Sequence, residues 1–149
     1  PLGRGVGPGG ADHNPSGAYE VDFSNKVDRR NATLDSVHHA IDTEDRAALM
    51  DSLIVCKFLR GVFEDFHGET AAMLRTVTGW DVTPDELRDT AARIVAAKRE
   101  FNVLAGWTPE EDTLPDRFFD SPLPNDADAH LSRERLDALV AEYRRQRGW

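Results

Sequence analysis

Thr83-Pro-Asp-Glu-Leu87-Arg-Asp-Thr-Ala91-Ala-Arg-Ile94-Val-Ala-Ala-Lys-Arg-Glu-Phe101-Asn-Val-Leu104-Ala-Gly106 decides the fold class of this chain. Thr83 and Glu86 make a capping box, and Pro84 takes the first helical position, where its missing N–H costs nothing. Leu87, Ala91, Ile94, Phe101 and Leu104 are spaced by three, four or seven residues and form one apolar stripe. Gly106 closes the helix. Downstream, Thr108-Pro-Glu-Glu111 repeats the cap over a short turn, and Leu114-Pro115 to Pro124 reads as a short helix and a Pro-punctuated loop. Ser132 caps a last helix with the stripe Leu136, Leu139, Val140 and Tyr143. Arg144, Arg145 and Arg147 sit at its negative end.

Upstream, a helix over 69–78 stops at Gly79. A further helix starts at Asp42 or Thr43, with Glu44 and Asp45 in its first turn. The apolar residues Met50, Leu53, Ile54, Val55, Phe58, Leu59, Val62, Phe63 and Phe66 then follow in nearly every direction around a helix axis. That pattern predicts a helix buried on most sides, with more apolar surface than a small chain covers unaided. Residues 1 to about 18, rich in Gly and Pro, predict irregular backbone. No stretch alternates like a strand. The expected architecture is all-α: an irregular N-terminal segment over 1–33, disordered or extended, and a multi-helix domain over 34–149.

A net charge of −9 and a pI near 4.9 exclude the usual phosphate-backbone binders. No apolar run approaches the roughly 20 residues of a membrane span, and the first residues lack a secretory pattern. A cytoplasmic protein with neither nucleic-acid nor membrane partner is expected. Position 1 is Pro rather than Met, as in a processed chain or a piece of a longer one.

Cys56 is the one cysteine of the 149 residues, so the chain holds no internal disulfide and no metal site with two Cys ligands. Within an apolar stretch, a lone Cys reads first as a small buried hydrophobe. Asp51, five residues earlier, needs solvent, a partner or a polar ligand. Cys56 and Asp51 together make a plausible pair of site residues. His38-His39 is an adjacent pair, and neighbours do not share a helix face, which argues against a metal site built on this pair alone. Glu110-Glu111-Asp112 reads as a solvated helix start. Gly5, Gly7 and Gly10 satisfy G-x-G-x-x-G without the strand and helix that give that pattern meaning. No spacing supports a hydrolase.

Three stretches carry a resemblance: Asp51-Ser-Leu-Ile-Val-Cys56-Lys-Phe58; Phe101-Asn-Val-Leu-Ala-Gly106 with Thr108-Pro-Glu-Glu-Asp-Thr-Leu-Pro115-Asp-Arg117; and Tyr143-Arg-Arg-Gln-Arg-Gly-Trp149. All three resemble the carboxy-terminal helical region of aldehyde:ferredoxin oxidoreductases. Those enzymes oxidise aldehydes to carboxylic acids at a tungsten bis-pyranopterin, and pass electrons through a [4Fe-4S] cluster to ferredoxin. The family signature D-x-x-G-L-C implies Asp51 as a pterin ligand and Cys56 as the fourth cluster ligand. A weaker match at Ala11-Asp-His13-Asn14 implies His13 as a proton donor or hydrogen-bond partner near the metal. The Gly-Leu of the signature is Ile54-Val55 here, and Leu104 stands where relatives often carry Arg.

A [4Fe-4S] cluster takes four thiolates and this chain has one. The resemblance therefore implies a fragment or subunit that is inactive alone. Its partner would be the missing N-terminal part or a complementary chain. The alternative is a truncated helical module without cofactor or catalysis.

Overall fold

A computed structural model of the chain describes residues 2–7, 24, 32–122, 124–126 and 130–149. Among these the architecture is all-α: α1 (Leu2–Val6), α2 (Val37–Ser52), α3 (Phe66–Thr78), α4 (Pro84–Leu104), α5 (Arg117–Asp120) and α6 (Arg133–Arg147), with short 3-10 turns between them. No described helix is long and apolar enough to cross a membrane.

The helix boundaries follow from their caps. Thr83 and Glu86 form the reciprocal box expected of them. Asp65 accepts the Gly68 N–H at the start of α3, and Ser132 accepts the Arg135 N–H at the start of α6. Gly79 ends α3 with φ 77°, a left-handed conformation that only glycine adopts without cost. The stripe of α6 is buried as its spacing requires, Leu136, Leu139, Val140 and Tyr143 all lying inside.

The helix expected from residue 43 through the apolar run ends much earlier. It begins at Val37 and stops at Ser52. Thr43 is therefore mid-helix, its hydroxyl donating to the His39 and Ala40 carbonyls rather than capping anything. The apolar residues after 52 form a loop and a 3-10 turn over Lys57–Leu59. The glycine-rich opening also departs from irregularity: Leu2–Val6 is helical, with Leu2 and Val6 buried against α6 and α2. On α4, Leu87, Ala91 and Val95 are buried, whereas Phe101 is 71% and Leu104 80% exposed. The stripe is real, but only its first half has a covering element among the described residues.

Two apolar clusters result. One gathers Leu2, Val6, Val37, Ala40, Leu114 and the stripe of α6. The other gathers Leu49, Met50, Phe66, Ala71, Leu87 and Ala91. α2 contributes to both, so it is the strut along which α4 and α6 pack.

Candidate cofactor-binding site

The end of α2 places Asp51 and Cys56. Ile54 N–H donates to the Asp51 carbonyl at 3.2 Å and Val55 N–H to the Met50 carbonyl at 2.9 Å. This pair of bonds is the Schellman arrangement, with Ile54 at the left-handed position (φ 57°) and Val55 packed on the cluster that holds Met50. The same pair ends α4, where Gly106 (φ 98°) and Trp107 donate to Val103 and Asn102 at 3.0 and 2.9 Å. It also ends α6, where Gly148 (φ 75°) and Trp149 donate to Arg145 and Arg144 at 3.3 and 3.0 Å. Two of the three motifs have glycine; the one before Cys56 has a β-branched residue in a backbone region that L-residues resist.

Cys56 emerges from this turn in extended conformation (φ −60°, ψ 129°) and is exposed. Reading it as a buried hydrophobe fails, because the helix that would have buried it has already stopped. Asp51, in the last turn of α2, is half-exposed, with its Oδ1 3.5 Å from the Lys57 ammonium. The same segment exposes Ile54 (93%), Phe58 (91%) and Val62. Arg46 holds the loop against α2 through the Arg60 carbonyl, and its guanidinium lies 4.8 Å from the centre of the Phe66 ring. His13 lies outside the described residues.

The second and third stretches meet around Asp112. Asp112, expected to be solvated, is buried: Arg144 reaches its Oδ2 at 2.7 Å and Arg99 at 3.4 Å. Arg99 stacks 3.6 Å from the Trp107 ring centre and 5.0 Å from that of Trp149. A cavity of about 360 Å³ opens here, lined by Val6, Arg99, Trp107, Leu114, Phe118 and Trp149 among others. Neither Asp51 nor Cys56 lines it.

Sequence reasoning also missed a buried network. Glu44 Oε2 accepts from the Tyr143 hydroxyl at 2.5 Å and from Arg147 at 2.6 Å, and Arg147 also donates to Asp45 at 2.7 Å. Burial raises the pKa of Glu44 above its ordinary value, and Arg147 and the Tyr143 hydroxyl offset this only in part. The signal was present: Glu44 falls on the α2 stripe of Val37, Ala40 and Ala47.

The donor chemistry of the α2 end fits the implied cofactors as far as it goes. It offers one exposed thiol and one exposed carboxylate on a fixed turn, and three further thiolates must come from outside these 149 residues.

The chain belongs to the aldehyde ferredoxin oxidoreductase family: the family's profile for domains 2 and 3 matches residues 2–149. It is 32% identical over 126 residues to the tungsten-containing aldehyde ferredoxin oxidoreductase of Pyrococcus furiosus. It is 33% identical over 127 residues to that of Pyrococcus horikoshii. Each alignment covers 83% of this chain but 20% of the relative, so the chain spans about a fifth of the length of these relatives.

Proposed function

We propose that this chain forms part of a tungsten-dependent aldehyde oxidoreductase and completes, rather than builds, the site. Cys56 supplies one thiolate to a [4Fe-4S] cluster, and the Asp51 carboxylate accepts hydrogen bonds from the N–H edge of a pterin. His13 serves as a proton donor beside the metal. When bound, the tungsten pterin supplies the oxidation of aldehyde to carboxylate, and the cluster relays the electrons to ferredoxin. The observation that carries this reading is the exposed Cys56 thiol on a turn fixed by two backbone hydrogen bonds, one turn beyond an accessible Asp51. The exposed Ile54, Phe58 and Val62 beside it suit burial against the remainder of the enzyme.

The test is anaerobic co-purification from tungstate-grown host cells with this chain as bait. Tungsten, iron and a Cys-rich polypeptide in the eluate, with iron lost on Cys56→Ala, are the expected outcome. A metal-free chain without such a partner overturns the proposal. It would leave the second reading, a helical module without cofactor, which the substitution of Ile54 for the signature glycine favours.

A further inference from the structure

The first turns of α2 carry a second group of ligating side chains that the cofactor reading does not use. His38, His39 and Asp42 each offer one ligand atom, and these atoms lie within 4.8 Å of one another. Adjacency had argued against the two histidines acting together, but their ring centres are 3.9 Å apart. His38 and Asp42 are four residues apart and so share a face. His39 leans in from the side.

We propose that His38, His39 and Asp42 form a surface site for a late first-row divalent cation, zinc above all. Three ligands about 2.0–2.2 Å from a tetrahedral zinc lie roughly 3.3–3.6 Å from one another, so atoms already within 4.8 Å would close in around the ion. One of the three side chains is already held in place. His38 Nδ1 lies in hydrogen-bond contact with the Asp35 carbonyl, which ties the imidazole to the turn before α2. A backbone carbonyl behind the imidazole is the usual outer-sphere support of a metal-bound histidine. Two imidazoles and one carboxylate select zinc, nickel or copper over magnesium or calcium, which take oxygen ligands. His38 and Asp42 are exposed and His39 half-buried, so three protein ligands leave the fourth position open to water or another small ligand.

The test is zinc binding to the untagged intact chain, measured by competition with a chromophoric chelator, alongside thermal unfolding with and without zinc. One equivalent should bind, and zinc should raise Tm, because it binds only the folded arrangement. His38→Ala and the near-isosteric Asp42→Asn should each weaken binding by at least about 10-fold and abolish the Tm shift. Cys56→Ser should change neither. Unaltered binding in both α2 variants, loss of binding in Cys56→Ser, or no binding at submillimolar zinc would each overturn the proposal.

Discussion

Ile54 and Gly106 occupy the same place in the same motif: each is the left-handed residue that turns the chain out of a helix, at φ 57° and 98°. The hydrogen bonds around them match to within about 0.2 Å, at 3.2 and 2.9 Å for Ile54 and Val55 against 3.0 and 2.9 Å for Gly106 and Trp107. Glycine at this place of the family signature thus also suits the turn itself. The turn itself demands it, and Ile54 adopts that conformation under strain.

Ile54→Gly should therefore stabilise the fold. A left-handed L-residue costs roughly 1–2 kcal/mol, and the added freedom of glycine in the unfolded chain returns about 0.5–1 of that. Ile54 is 93% exposed, so little packing is lost. The net gain is about 1 kcal/mol, seen as a rise of about 3 °C in Tm. Gly106→Ile should shift Tm the other way. An unchanged or lower Tm for Ile54→Gly would mean the turn is not strained.

The same turn explains what could be read from the sequence. Helices α3, α4 and α6 announced their ends through Gly79, Thr83, Gly106 and Ser132, residues whose side chains, or lack of one, act locally. The end of α2 carries no such residue. An apolar run from Met50 to Phe66 reads as continuous helix because strain at Ile54 is invisible to periodicity. The places of Glu44 and Asp112 were hidden for another reason: each is buried by an arginine far along the chain, Arg147 and Arg144. Their residue types singled out Asp51 and Cys56 as a plausible pair, and the resemblance alone implies their roles. Nothing in the local pattern shows that the thiol faces outward.

Glu44 and Arg147 form a buried pair, their side chains 5% and 6% exposed. Removing one partner strands the other. Arg147→Ala should cost about 3–5 kcal/mol. Tyr143→Phe, which removes one donor to Glu44, should cost about 1–3 kcal/mol. The double variant Glu44→Leu/Arg147→Met should be less damaging than Arg147→Ala alone, because an apolar replacement carries no desolvated charge. Denaturant midpoints of the native chain and these three variants decide this, and a double variant no more stable than Arg147→Ala would overturn it.

Burial raises the Glu44 pKa from the ordinary 4.5. Between pH 4.5 and that raised value the folded state holds a proton that the unfolded state has already released. The contribution of this group to stability is fully present below pH 4.5 and is lost as pH rises through the raised folded value. Glu44→Gln removes that titration, so the stability of the native chain relative to this variant should fall as pH rises from 4.5 through the raised folded value. Paired urea titrations across that range provide the check. A difference that grows with pH would mean that the pull of Arg147 outweighs burial.

The segment after α2 makes a last demand on solution behaviour. Ile54, Phe58 and Val62 stand out beside an exposed Cys56, and Phe101 and Leu104 add apolar surface at the end of α4. Such surface drives association when left uncovered. The chain alone should self-associate at micromolar concentration, and Ile54→Ser/Phe58→Ser/Val62→Ser should shift it toward monomer with its helical content intact. Its single thiol should take up about one equivalent of an aqueous thiol reagent without denaturant, since the reagent needs only access. If Cys56 ligates a cluster as proposed, the same thiol should be protected in the assembled enzyme, and protection should vanish when iron is removed. Light scattering reads the first effect and thiol titration the second. A monodisperse chain would separate the apolar segment from any covering partner, and a thiol labelled equally in free and assembled forms would remove Cys56 from the cluster.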